Sequence, residues 1–244
     1  MKNICVIGLG NMGKAIYKIL DSKKLYKLYG CGKRDNLHSC VEKCEIVFIC
    51  VKPQSFKSLG KMDFSGKIVI SIMAGVSIAN IKKTLGVEKV VRLMPNLPLI
   101  VGRSVGGFTF SDEMDNKERK SIGKIITLLG EHIYVKHEAQ IDAVTALSGS
   151  GPAYFYYIAE LMEDAAKEMG FSAGNARSLA AETLIGAARY LQVSGESAKA
   201  LRKKVSSKGG TTEAAINSLK AAKFDKIFID AVKAAEKRAK ELNK

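Results

Sequence analysis

An α/β architecture is predicted for this 244-residue chain, with a doubly wound parallel sheet first and an all-helical domain after it. Three observations predict it. Strand and helix patterns alternate from the first residues to about residue 140, which is how a parallel sheet covered by helices on both faces reads in sequence. The first strand pattern ends in a glycine-rich turn. Beyond residue 140 the strand-like runs stop and Ala-rich helical patterns take over.

The elements follow in order. Residues 4–7 form an apolar run that ends in glycines, and 12–20 carry helical spacing. Residues 26–30 suit a second strand. The run EIVFICV at 45–51 is continuous, β-branched and aromatic, as expected of a parallel strand buried on both faces. Short strands are expected at 67–72 and 89–93 with a helix at 78–85 between them, then a strand at 105–110 and a helix at 116–129. Helices at 152–169, 173–192, 198–205, 212–219 and 226–242 complete the chain. Small residues on the second of these (Ala180, Ala181, Gly186, Ala187, Ala188) suit close helix contacts, within the chain or between subunits. The domains are therefore 1–140 and 141–244, divided at a helix start near residues 137–142.

With 47% hydrophobic and 26% charged residues, the chain can bury a sizeable core. No apolar run approaches the roughly 20 residues of a membrane span. The start, Met1-Lys2-Asn3, leads straight into a strand, so neither a signal peptide nor membrane attachment is expected, and a cytoplasmic location is. Five cysteines, an odd number, argue for a reducing compartment over a disulfide framework. His38, Cys40 and Cys44 lack a paired CxxC and a fourth ligand, so no metal is expected. The net charge of +15 is spread along the chain, without a nucleic-acid-binding motif and without tryptophan. It reads as a solvated basic surface that attracts a polyanionic cofactor and an acidic substrate, with no nucleic-acid partner.

GLGNMG at 8–13 is a GxGxxG placed directly after a strand and directly before a helix, and that placement gives the short pattern its meaning. Gly8 permits the tight turn, Gly10 lets backbone amides approach a pyrophosphate, and Gly13 lets the helix pack close to the sheet. Leu9, Asn11 and Met12 complete the loop, and the helix start offers free N–H donors and partial positive charge. The N-terminal domain is thus a Rossmann-type dinucleotide-binding domain. About 20 residues on, where an acidic residue would select NAD, stand Lys33 and Arg34. Two cations suit a 2′-phosphate, which makes NADP(H) the preferred cofactor and NAD(H) the alternative.

Acid–base machinery is sparse. His38, His132 and His137 have no partnered arrangement in sequence. Two stretches are instead dense in small and hydroxyl residues, DAVTALSGSGPAY at 142–154 and VSSKGGTTE at 205–213. In the second, a Gly-Gly turn leads into a Thr-led helix whose first amides can hold a carboxylate. It reads equally well as an ordinary capped helix after a turn.

Those stretches, with VKPQ at 51–54, SIMAGVS at 71–77 and RLMPNLP at 92–98, resemble the pyrroline-5-carboxylate reductase family nearly end to end. The resemblance implies hydride transfer from NAD(P)H to the C=N carbon of an anionic cyclic imine, giving L-proline as the last step of its biosynthesis. It implies Thr212 as the catalytic group, hydrogen-bonded to the ring nitrogen. The amides of Gly210 and Thr211 would hold the substrate carboxylate, with Ser207 and Gly209 in the same loop, while Ser148, Gly149, Ser150 and Gly151 face the reacting ring. Val51, Lys52 and Pro53, flanked by Cys50 and Ile7, would line the cofactor path with Met73, Ala74 and Gly75. Met94, Pro95 and Asn96 would border the nicotinamide. The helical domain becomes a dimerisation domain, implying a homodimer with a decamer as a further assembly. Lys208 stands where the family usually has proline. Only ten residues separate Arg34 from Glu45, where relatives fit a helix and a short strand. Leu97 and Arg103 replace what are commonly a threonine and an acid.

Other readings predict other behaviour. One is an imine reductase acting on a different cyclic imine. A β-hydroxyacid dehydrogenase would need a central-helix lysine soon after a glycine, and 152–169 offers Lys167 only near its end. A nucleic-acid-binding relative that had lost catalysis would explain the positive charge.

Overall fold

The computed structural model describes residues 2–32 and 35–242. Packing divides the chain into two units, Met1–Pro152 with Lys233–Lys244, and Ala153–Val232.

The first unit is built on a seven-stranded sheet: β1 (Asn3–Ile7), β2 (Lys27–Cys31), β3 (Ile46–Ile49), β4 (Ile68–Ser71), β5 (Lys89–Met94), β6 (Ser104–Phe110) and β7 (Gly130–Tyr134), in the order β2-β1-β3-β4-β5-β6-β7. The helices are α1 (Asn11–Ser22), α2 (Leu37–Glu42), α3 (Ile78–Leu85), α4 (Asn116–Leu128) and α5 (Gln140–Val144), with 3₁₀ turns at Pro53–Lys61 and Leu97–Val101. The side chains of β1 alternate between two cores. Ile4 and Val6 join Ile16 and Leu20 of α1 and Ile122 and Ile126 of α4 on one face. Cys5 and Ile7 join Ile81 and Leu85 of α3 on the other. Burying each such isoleucine or leucine contributes about 1.5–3 kcal/mol, and strands apolar on both faces have no alternative register in which water is avoided.

Two features depart from the expected all-parallel sheet. β6 runs antiparallel to β5, pairing Val91 with Phe110 and Met94 with Gly107, before β7 returns parallel to β6. β7 itself has no apolar run, since the edge strand GEHIY is only partly covered, so neither hydrophobic periodicity nor β-branching marks it. Between β2 and β3 the short segment holds the six-residue α2, capped by Asn36 accepting from the Ser39 amide at 3.2 Å, and, among the described residues, no strand. β2 is therefore the sheet edge. α4 begins with a reciprocal capping box, Asp115 with Glu118.

His132 on β7 bonds through Nε2 to Ser104 Oγ at 3.3 Å, while its Nδ1 is buried without a partner among the described residues. Burial holds this imidazole below its ordinary value. The folded chain therefore resists a proton that the unfolded chain accepts below about pH 6.5. This contribution to stability is complete above that pH and declines as pH falls toward the folded value. Melting temperature is expected to drop between pH 7.5 and 5.5 in wild type and to drop less in His132→Gln; parallel curves would exclude His132 as the source.

The second unit contains most of α6 (Gly151–Glu168), α7 (Ala173–Ser194), α8 (Ala198–Lys204), α9 (Thr211–Ala221) and the first part of α10 (Phe224–Leu242). Ser172 and Ser197 cap α7 and α8, and Gly195 at φ 69° ends α7. These helices match the expected ones within a few residues, because serine caps and glycine stops are local signals.

Candidate functional site: a dinucleotide cleft and two hydroxyl-rich turns

The chain between β1 and α1 has the geometry that the glycines anticipate. Gly8 sits at φ 95°, and a Cβ there would lie 2.8 Å from the Cys50 carbonyl. A Cβ on Gly13 would strike the Gly8 carbonyl oxygen. The Gly8 amide donates to the Cys31 carbonyl and the Cys50 amide to the Ile7 carbonyl, both at 2.8 Å, so the loop is pinned to the ends of β2 and β1. Gly10 is the N-cap of α1, with no side-chain cap and no acidic residue in the first turn. The free amides and positive pole of α1 are thus left for an anion.

Beside this loop lies a cleft of about 620 Å³. Its walls include the expected Ile7, Gly8, Leu9, Gly10, Cys50, Val51 and Lys52. Asn11, Met12 and Gly13 begin α1 next to it, and Pro53 starts the following 3₁₀ turn. Cys31, Gly32, Leu37, Ser55, Ser58 and Leu59 also line it and escaped the sequence reading. For the two serines a signal existed: Pro53 starts a turn that places positions 55 and 58 one turn apart. For Leu37 there was none, because it belongs to a helix too short to show a period. The Asp35 carboxylate accepts from the Gly32 amide at 2.7 Å, closing the loop after β2. Lys33 and Arg34 lie outside the described residues. Burial pushes the Cys50 thiol up, keeping it protonated and apolar.

Met73, Ala74 and Gly75 follow β4, and Met94, Pro95 and Asn96 end β5, so these segments and the cleft share the carboxyl edge of the parallel strands, where ligands bind in open α/β sheets. The Met73 side chain is buried in the core, which leaves only its backbone to face a ligand. A Cβ on Gly75 would meet Leu242 of α10.

The Asn96 side chain is buried and bonded at both ends. Its Nδ2 donates to the Ser148 carbonyl at 3.1 Å and its Oδ1 accepts from the Val105 amide at 3.1 Å. Met94 packs on Gly149, where a Cβ would lie 2.9 Å from Met94 Cε. The expected nicotinamide border and the expected ring-facing segment are thus in direct contact. That segment is a π-turn, Thr145–Gly149, between α5 and α6, closed by the Ser150 amide donating to the Thr145 carbonyl at 2.8 Å. Such turns occur disproportionately at functional sites. The Ser148 hydroxyl donates to the Val144 carbonyl at 3.0 Å. Below it, buried Arg92 of β5 holds Glu138 at 2.8 Å and Asp142 at 3.6 Å, and Glu138 also accepts from the Ile78 amide at 2.7 Å. A buried cation held between two carboxylates ties α5, and hence the π-turn, to the sheet.

In the second unit, the turn 206–210 leads into α9. Gly209 takes φ 74°, and its amide donates to Glu213 Oε2 at 2.7 Å. The Gly210 amide donates to the Ser207 carbonyl at 3.0 Å, so it is committed within the turn instead of facing a carboxylate. Gly210 is the N-cap of α9 without a side-chain cap, and the helix starts at Thr211, one residue earlier than expected. The amides of Thr211, Thr212 and Glu213 precede the first helical bond, from the Ala214 amide to the Gly210 carbonyl, and so have no acceptor within the helix. This revision could not be read from sequence, since it depends on where the Ser207 carbonyl points.

Similarity to known proteins was found over the whole chain. Residues 138–242 match a family model described as pyrroline-5-carboxylate reductase dimerisation, and 21–75 match one described as NADP oxidoreductase coenzyme F420-dependent. A pyrroline-5-carboxylate reductase of Pseudomonas aeruginosa is 36% identical over 83% of this chain and 76% of its own length. That of Haemophilus influenzae is 32% identical over 99% of this chain and 97% of its own. Among solved structures, the Coxiella burnetii pyrroline-5-carboxylate reductase aligns with TM-score 0.87 at 32% identity, covering 100% of this chain and 99% of that one. The Plasmodium falciparum pyrroline carboxylate reductase with NADP bound aligns with TM-score 0.88 at 27% identity, covering 100% and 98%.

Proposed function

The chain belongs to the pyrroline-5-carboxylate reductase family, and from that premise we propose how its residues carry out the family reaction. It reduces 1-pyrroline-5-carboxylate to L-proline by hydride transfer from NAD(P)H, the last step of proline biosynthesis. Residues 1–140 bind the dinucleotide, and 141–244 bind the substrate and dimerise. The pyrophosphate lies on the uncapped start of α1, where Gly8 and Gly13 leave room that any side chain would fill. Val51 and Lys52 line its path, and Met94–Asn96 border the nicotinamide, which supplies the hydride when bound. The segment Ser148–Gly151, from the end of the π-turn into the start of α6, presents its backbone to the ring. The Thr211 and Thr212 amides hold the carboxylate, and the Thr212 hydroxyl orients the ring nitrogen. No dedicated base is needed, because the protonated imine is already electrophilic and positioning alone can supply about 7–11 kcal/mol.

The observation that supports this reading is the Asn96–Ser148 hydrogen bond, which joins the end of β5 to the turn before α6. Initial rates with pyrroline-5-carboxylate, using NADPH and then NADH, test it; other cyclic imines and 2-keto or 3-keto acids serve as controls. Faster turnover of another imine, or of a keto acid, would overturn the substrate assignment.

NADPH is the preferred donor, through Lys33 and Arg34. Arg34→Ala is expected to weaken NADPH about tenfold, the scale of one charge-assisted contact, and NADH hardly at all. Equal weakening of both would retract the 2′-phosphate contact. The protein works in the cytoplasm as a homodimer formed through its helical domain, with a decamer as a further assembly.

A further inference from the structure

Four of the five cysteines form one cluster at the edge of the dinucleotide cleft. Cys5 and Cys31 on adjacent strands have their sulfurs 3.9 Å apart. Cys40 of α2 packs against the same core as Cys31, Cys5 and Cys44, which also holds Val41. Among the described residues, no group of three or more His, Cys, Asp or Glu could hold a metal ion.

Geometry separates the pairs. Cys5 pairs across the ladder with Tyr29, and Cys31 with Ile7, so the two cysteines are offset by two residues on neighbouring parallel strands. Strands about 4.8 Å apart with an offset of about 6.6 Å put their Cα atoms about 8 Å apart, beyond the span of about 6.8 Å that a disulfide tolerates. Cys31 and Cys40 lie on a strand and on a six-residue helix, so the spacing of neighbouring strands sets no such limit on them. Cys40 is also partly exposed, whereas Cys5, Cys31 and Cys44 are buried. Cys31 and Leu37 of α2 both line the cleft, and the Cys31 carbonyl holds the Gly8 amide.

We propose that Cys31 and Cys40 are a thiol-oxidation site, and that the disulfide between them weakens dinucleotide binding. This rests on the dinucleotide-binding reading of the cleft. The oxidant is a low-molecular-weight disulfide such as oxidised glutathione. The Cys40 thiolate attacks one of its sulfurs, forming a mixed disulfide and releasing one thiolate. Cys31 then attacks the Cys40 sulfur and releases the second. Two protein thiols are oxidised, one small disulfide is reduced to two thiols, and the two protein protons pass to those thiols. Burial pushes the Cys31 thiol up to about 12, so the second step is the slower one. Closing the two sulfurs to about 2.05 Å draws α2, and Leu37 with it, toward β2 at the cleft wall. A bound dinucleotide opposes that movement.

The test treats the whole protein with oxidised glutathione, with and without saturating NADP⁺, maps disulfides by mass spectrometry and measures NADPH affinity by fluorescence titration. A Cys31–Cys40 disulfide is expected, forming more slowly when NADP⁺ is bound. The Kd for NADPH should rise about tenfold and recover on adding dithiothreitol. Cys40→Ser should bind NADPH like reduced wild type and ignore the oxidant. Glutathione remaining on Cys40, a disulfide between another pair, or equal loss of affinity in Cys40→Ser would overturn the proposal. Normal NADPH binding without the disulfide sinks this inference alone. Failure of the reduced protein to bind NADPH removes the dinucleotide reading and this inference with it.

Discussion

Thr212→Val is expected to lower kcat by about 10²–10³-fold, the scale of removing one preorganised hydrogen bond at a reacting centre, while the Kd for NADPH stays within about twofold. Valine keeps the β-branched shape of threonine and removes only the hydroxyl. Thr212 sits in the first turn of α9, whose N-cap Gly210 contributes no side chain, so the hydroxyl takes no part in capping the helix. The turn before it is held by Gly209 to Glu213 and Gly210 to Ser207, neither of which the substitution touches. Loss of rate with unchanged melting temperature would therefore report on chemistry. As the imine becomes an amine, its nitrogen changes geometry, and in the proposed role the Thr212 hydroxyl would keep the ring aligned throughout. Such a contact matters more in the transition state than in the bound substrate, so kcat should fall more than KM rises. Wild-type turnover in the variant would remove Thr212 from the mechanism.

How much of this was legible in sequence depended on whether the signal was local. The glycine loop was, since Gly8, Gly10 and Gly13 are fixed by backbone demands that their spacing and their place after a strand reveal together. Helix boundaries in the second half were legible for the same reason, through Ser172, Ser197 and Gly195. What stayed hidden depends on partners far away in the chain. The reversal of β6 follows from how the Leu97–Val101 turn returns the chain along β5, and nothing in the composition of 104–110 distinguishes parallel from antiparallel. The importance of Asn96 lies in reaching both Ser148 and Val105, 52 and 9 residues away. Gly210 looked like an open amide until the Ser207 carbonyl was seen to occupy it. Contacts inferred for Val51 and Lys52 find their cleft, whereas Met73 offers a ligand backbone alone.

Ile185→Asp is expected to take the protein apart. In residues 153–232 only Ala176 and Ala180 are buried, while Tyr157 is 60% exposed, Ile185 59%, Ile227 60% and Ile229 53%. Ordering each residue costs about 1–2 kcal/mol of chain entropy, and a unit with two buried alanines cannot offset that by itself. Its exposed apolar side chains need a further surface to cover them, and the dimerisation role proposed for these helices would supply one. Ile185 has Ala181 one turn before it and Ala188 one turn after, a face of small residues that lets a second helix come close. A carboxylate there loses the transfer energy of the isoleucine, about 1.5–3 kcal/mol, and adds the cost of desolvating a charge. In a two-fold interface the change counts twice. The dimer Kd should rise at least about 10³-fold, about 4 kcal/mol, seen as a lower sedimentation coefficient at micromolar concentration with turnover lost in step. Ile185→Ala, which removes area without adding charge, should shift the equilibrium far less. An unchanged sedimentation coefficient for the aspartate variant would move the interface to another face of α7 and leave the exposed isoleucines of α10 to be tested in its place.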